Sequence, residues 1–87
     1  MHYNYTYFCE EISQSSDLPD EEKAEALSQV QTLAEAGKNP HESTKQKTAK
    51  TAITMLKGIF SSLPAIASLV EAGNKLLPAI AKLFSLG

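Results

Sequence analysis

The stretch that decides the fold is AKTAITMLKGIFSSLPAIASLVEAGNKLLPAIAKLF, residues 49–84. Within it Ala49, Ala52, Leu56, Ile59, Leu63, Ile66, Val70, Gly73, Leu77, Ile80 and Phe84 follow one another at alternating steps of three and four. Strands repeat every two residues, whereas steps of three and four stack side chains on one helix face, so this is a heptad seam. Lys50, Lys57, Ser61, Pro64, Ser68, Glu71, Lys75, Pro78 and Lys82 fall on the opposite side. Both prolines therefore lie on the polar stripe. A proline there releases a carbonyl toward water rather than into a core, so it bends or restarts the helix at the lowest cost.

The seam contains an echo of itself. Leu63-Pro64-Ala65-Ile66-Ala67 recurs as Leu77-Pro78-Ala79-Ile80-Ala81, and the spacing of two heptads shows the same face twice. Glu35-Ala36-Gly37 likewise recurs as Glu71-Ala72-Gly73, which reads as two helix ends. The C-terminal region accordingly divides into a helix over about 63–72 and another over about 75–86 capped by Asn74, with one long bent helix as the alternative.

Moving toward the N-terminus, Asn39-Pro40-His41-Glu42 has the form of a helix start: Asn as N-cap, Pro at the first position, Glu at the third as a capping-box partner. A helix over about 40–61 is predicted. Before it, Asp17 as N-cap, Pro19 in the first turn and the acids Asp20, Glu21 and Glu22 mark another start, and Gly37 with Pro40 marks the stop. Ala24, Leu27, Val30 and Ala34 give this helix, over about 18–36, a narrow apolar stripe. Residues 2–8, HYNYTYF, alternate strictly, with Tyr3, Tyr5 and Tyr7 on one side, which favours an extended strand. No second strand candidate exists to pair with it. The expectation is an all-α bundle of three to four helices (residues 17–87) preceded by an extended arm and linker (residues 1–16).

The runs Lys50-Thr51-Ala52-Ile53, Leu56-Lys57-Gly58, Leu63-Pro64, Leu69-Val70-Glu71 and Lys75-Leu76-Leu77-Pro78-Ala79-Ile80-Ala81-Lys82-Leu83-Phe84 resemble the helical C-terminal modules of cyanobacterial multidomain proteins, where they follow pentapeptide repeats or signalling and defence-type ATPase domains. The resemblance covers residues 18–87. It implies an accessory module for assembly, or a membrane-directed effector segment, without defined catalytic residues. A companion domain is absent from these 87 residues.

A chain of this length forms one domain and buries only about 60–65% of its unfolded surface, so its core needs help from a disulfide, a metal, a partner or very efficient helix packing. Cys9 is the one cysteine and cannot close a bridge within the chain. That single thiol, and a start at Met1-His2-Tyr3-Asn4-Tyr5 with neither a basic region nor an apolar run, fit a cytoplasmic setting without a secretory leader. The net charge of −2 conceals an asymmetry: residues 1–39 carry −6 and residues 40–87 carry +4. There is no arginine, the residue that nucleic-acid readers use for bidentate base contacts, so nucleic acid is a poor partner for the basic half.

The residues that carry chemistry elsewhere find ordinary explanations here. Asp17, Asp20, Glu21, Glu22 and Glu25 sit where a helix dipole stabilises acids. His2 and His41 have no nucleophile near them in sequence. Glu10 and Glu11 beside Cys9 raise its pKa and blunt the thiol. No glycine-rich phosphate loop and no ligand spacing for a metal occurs. Catalytic residues, cofactor and metal are therefore not expected, and the chain reads as a non-enzyme.

What remains is the seam. The helix over 18–36 offers few apolar groups against the many of residues 49–84, which leaves apolar area uncovered in a monomer, and such patches mark interaction sites. The predicted function is a helical module that binds itself or another protein through Leu56, Ile59, Leu63, Ile66, Val70, Leu77, Ile80 and Phe84. The alternative is a small amphipathic effector, peripheral to a membrane, using the same residues with Lys57, Lys75 and Lys82 against lipid headgroups. The longest uncharged run, Gly58 to Val70, is too short for the ~20 residues that span a bilayer.

Overall fold

A computed structural model describes residues 5–64 and 67–86. Its four helices are α1 (Tyr5–Gln14), α2 (Asp20–Ala36), α3 (Ser43–Phe60) and α4 (Ser68–Leu83), and there is no strand among the described residues. The all-α bundle expected from the seam is the fold.

The N-terminal arm is the main correction. Residues 5–14 are not extended; they form α1, with Phe8 and Ile12 fully buried and Tyr5 and Cys9 packed at the margin of the core. Tyr5, Phe8, Cys9 and Ile12 stand at i, i+3, i+4 and i+7, a helical stripe that the alternating tyrosines conceal. A helix also meets its own backbone hydrogen-bonding needs, which a strand without a partner does not. Residues 2–4 of the expected strand lie outside the described residues.

A second correction concerns the C-terminal half, where the expected break between 63–72 and 75–86 is absent. α4 runs unbroken through Gly73, Asn74 and Pro78. Pro78 is tolerated because it is exposed, so the Asn74 carbonyl it leaves without an i+4 donor lies on the wet side. Gly73 is no terminator. It is buried, and a Cβ on it would stand 2.9 Å from Cδ2 of the Phe60 ring, so α3 and α4 touch where only a glycine fits. The helix ends at Phe84–Leu86, where Ser85 takes φ 59° and the amides of Ser85 and Leu86 donate to the carbonyls of Lys82 and Ala81 at 3.0 and 2.8 Å. That is a Schellman closure with serine in the left-handed position glycine usually takes.

The remaining starts sit two to three residues later than expected. α2 begins after Pro19, whose ψ of 154° is extended, and not at Asp17. Residues Asn39 to Glu42 form a turn, with the Glu42 amide donating to the Asn39 carbonyl at 3.2 Å, so Glu42 and not Asn39 precedes α3. Gly37 ends α2 with φ −63°, without left-handed backbone. α3 ends where Ser61 and Ser62 donate their hydroxyls to the carbonyls of Gly58 and Ile59 at 2.7 and 2.8 Å, and Pro64 prevents continuation.

Each helix packs on two neighbours, in the cyclic order α1–α2–α3–α4–α1. The rings of Phe8 on α1 and Phe60 on α3 meet across the middle, with centroids 5.7 Å apart and planes tilted by 57°. Two neighbours per helix mean a wide buried face. α2 buries Ala26, Val30, Leu33 and Ala36, so the expected stripe is rotated: Ala24 is exposed and Leu27 and Ala34 are half-buried. α3 buries Ala49, Ala52, Ile53, Leu56 and Phe60; from α4, Leu69, Ala72, Leu77 and Ile80 go in, and Phe84 follows just past its end. The Cα radius of gyration of 12.2 Å is that of one compact unit of this length, about 12 Å, with α1 inside it.

Candidate functional site: a groove between α3 and α4

The seam residues separate into two groups. Leu56, Leu77, Ile80 and Phe84 are core, at 4% exposure or less. Ile59, Leu63 and Val70 are half-buried, and Ile66 lies outside the described residues. The residues expected to face a partner are thus mostly turned toward the other helices of the same chain. The apolar surplus expected of a monomer is reduced for the same reason, since α1 supplies the cover that an extended arm could not. Large apolar side chains that remain exposed are few among the described residues: Tyr7, Met55 and Leu86.

What the seam leaves open is a groove of about 400 Å³ between the last turn of α3 and the middle of α4. Phe60, Val70, Gly73 and Leu77 line its apolar part, and Lys57, Ser61, Asn74 and Pro78 complete it. Its shape follows from the two residues already singled out. Gly73 contributes no side chain, which lets α4 lie against the Phe60 ring, so that of Phe60, Val70 and Leu77 only half-buried Val70 is more than slightly exposed at the groove. Pro78 has no amide proton to donate to the Asn74 carbonyl, and both residues are exposed at the groove's rim. Lys57 is the one charged residue in the lining among the described residues. Its position in the last turn of α3 is also where a helix dipole favours a cation, and this accounts for part of its placement. The volume lies at the low end of the range that holds a small ligand or an anchoring side chain, roughly 300–1,000 Å³.

Charge is segregated by element. α2 carries Asp20, Glu21, Glu22, Glu25 and Glu35 against Lys23, whereas α3 carries Lys45, Lys47, Lys50 and Lys57 with no acid. These two helices are neighbours, yet both ion pairs among the described residues are local: Lys38–Glu35 at 2.9 Å and Lys75–Glu71 at 3.2 Å. The Lys38 ammonium, by hydrogen bond and by charge, holds the Glu35 carboxyl below its ordinary range. Lys50, Lys57, Lys75 and Lys82 are all exposed on the stripe opposite the seam.

Cys9 is half-buried, and burial pushes its thiol up from its ordinary value. Desolvation, and not the neighbouring Glu10 and Glu11, accounts for that shift. Among the described residues no three His, Cys, Asp or Glu side chains stand together as metal ligands, and no helix is long and apolar enough to cross a membrane.

Sequence reasoning named Lys57, Val70 and Leu77 but missed Phe60 and Asn74 as groove residues. Phe60 lies one position off the strict heptad, and Asn74 reads in the sequence as a cap. The available signal was Gly73: a glycine on the apolar seam of a helix reports a close neighbour as readily as a helix end. No protein-family model, curated protein or solved structure matches the chain.

Proposed function

We propose that this chain is a non-enzymatic helical module that binds protein, another copy or a different chain, and that the binding surface is the α3–α4 groove. The observation that carries the reading is the groove itself. It joins apolar floor to polar rim on the outward side of the seam, while Leu56, Ile80 and Phe84 are buried within the chain. An anchoring side chain seated there would contact Val70 and the edges of the floor at Phe60 and Leu77, with Ser61 and Asn74 as polar partners. In the setting that the sequence resemblance implies, the groove would serve an accessory module in a larger assembly. The unpaired Cys9 thiol supports a cytoplasmic location.

The test is site-specific photo-crosslinking in intact cells. A benzophenone side chain is placed at Ser61 or Asn74 on the groove, and at exposed Ala24 on α2 as control. Discrete protein adducts from the two groove positions, absent from Ala24 and lost when Val70→Gln makes the floor polar, are expected. Labelling that is equal at all three positions, or indifferent to Val70→Gln, overturns the reading.

A further inference from the structure

We infer that the groove's occupant is a second copy of this chain, inserting Tyr7 from α1 with Glu10 and Glu11 set against Lys57. The inference rests on the binding role proposed for the groove and adds the identity of the partner.

Tyr7 is the most exposed large apolar side chain among the described residues, at 49%. α1 turns Phe8 and Ile12 inward, and this leaves Tyr7 on the outer surface. Glu10 and Glu11 stand three and four residues further on, so an aromatic ring and two carboxylates share one face of the helix. The groove offers the complement to each part. Phe60, Val70 and Leu77 provide an apolar surface for the ring. Ser61 and Asn74, both exposed in the lining, offer polar partners for the phenol O–H. Lys57 supplies the cation that two carboxylates call for. Charge segregation extends the match beyond the contact: α1 and α2 are acidic, α3 is wholly basic, and among the described residues no α3 lysine is ion-paired. Fields of that kind steer an acidic face onto a basic one and repel basic from basic.

The contact is small. One tyrosine buries roughly 150–250 Å² and the salt bridge at the rim adds little, so the interface falls well under the ~1,200 Å² of stable complexes. Association is therefore weak, with dissociation constants of about 0.1–1 mM. It weakens with salt.

Light scattering after gel filtration, and sedimentation equilibrium from micromolar to millimolar concentration, test this directly. The wild type should move from its monomer mass of 9.4 kDa toward twice that at the upper end. Tyr7→Ser and Lys57→Glu lie on the surface, and circular dichroism should show both folded; each should weaken association by about tenfold or more. The deciding arm is an exchange of charge. Lys57→Glu alone sets Glu against Glu10 and Glu11, and the double variant Glu10→Lys, Glu11→Lys alone sets lysines against Lys57, so each should be monomeric. Mixed in equal amounts they regain opposite charges in both directions: Glu10 and Glu11 of the first variant face Lys57 of the second, and the introduced lysines face the introduced glutamate. They should then form a one-to-one pair with affinity within about threefold of wild type. A wild type that stays monomeric at 1 mM overturns the inference, as do a mixture that fails to pair and a Tyr7→Ser variant that associates like wild type. Groove crosslinks to another protein from a chain that is monomeric alone would sink this inference and leave the binding role standing.

Discussion

Residues 5–14 and residues 49–84 both supply buried helix faces, yet only one of them shows it plainly. In the C-terminal stretch the apolar positions step by three and four for ten consecutive intervals, long enough for the helical period to stand above any chance pattern. The N-terminal stretch is ten residues long, and three tyrosines alternate across its start. Over so short a window period two and period 3.6 share positions, and the tyrosines favour the wrong one. The helix appears only when the reading continues to Ile12 and Tyr5, Phe8, Cys9 and Ile12 fall into line. The two regions differ in a second way. α1 would be marginal alone, since isolated helices under ~12–15 residues hold little structure in water. It exists because Phe8 and Ile12 reach the space between α2 and α4, so its structure is decided by tertiary packing that its own ten residues do not encode.

The most forceful way to break this comparison is to ask whether the bundle depends on α1 as it depends on the seam. Phe8→Ala removes a side chain at 0% exposure that meets Phe60, and Leu56→Ala removes one equally buried on α3. Each should cost on the order of 3–5 kcal/mol, a large share of the ~5–15 kcal/mol that holds a small domain together. At about 4–8 °C per kcal/mol in a domain of this size, both should lower the melting temperature by roughly 15–35 °C. Thermal denaturation followed by circular dichroism checks it. If Phe8→Ala melts within a few degrees of wild type while Leu56→Ala does not, α1 is an appendage and the division at residue 16 is restored.

Fold class and the two C-terminal faces were legible because a long period needs no knowledge of neighbours. The rest was not, for a related reason. A strict heptad assumes one facing helix, whereas each helix here has two, so Ile53, Phe60, Leu69 and Ala72 are buried beside the expected positions. The same second neighbour rotates the stripe of α2 and brings in Leu33. The groove was half legible. Val70, Leu77 and Lys57 can be read from the pattern, but that Gly73 faces Phe60 is a fact about how α3 and α4 are set against each other. Seam membership alone does not distinguish a glycine that ends a helix from one that admits a ring.

That distinction has its own measurement, sharper and smaller in effect. Gly58 and Gly73 are both helical glycines within residues 49–84. A methyl group at Gly73 would meet Phe60 Cδ2 at 2.9 Å and Cε2 at 3.1 Å, and the ring cannot swing freely because it also packs on Phe8. Overpacking of about 1–3 kcal/mol then exceeds the ~1 kcal/mol that alanine gains in helix propensity, and Gly73→Ala should lose about 1–2 kcal/mol. At Gly58 nothing lies within 4 Å, so Gly58→Ala should gain about 0.5–1 kcal/mol. Urea denaturation reads both. Two substitutions that stabilise alike would show that α3 and α4 do not approach as closely as the structure has them.

The smallest effect is expected on the outer stripe, where Lys57, Lys75 and Lys82 are exposed. Lys75 pairs with Glu71 at 3.2 Å in open solvent, a contact of little net value. Lys57 and Lys82 lie in the last turns of α3 and α4, where the dipole interaction is modest and screened at physiological salt. Replacing all three with glutamine should therefore change stability by less than about 1 kcal/mol. A membrane role makes a different demand on the same residues. If they meet anionic headgroups, each supplies ~1 kcal/mol, and the triple replacement weakens vesicle binding about a hundredfold at low salt, with the difference shrinking at high salt. With the core seam turned inward and α1 covering it, the wild type should stay in the supernatant when sedimented with neutral and with anionic vesicles. Firm binding of the wild type to anionic vesicles, lost in the triple variant, would mean that α4 can leave the bundle and lay its apolar face on lipid, and the α3–α4 groove would then cease to be the working surface.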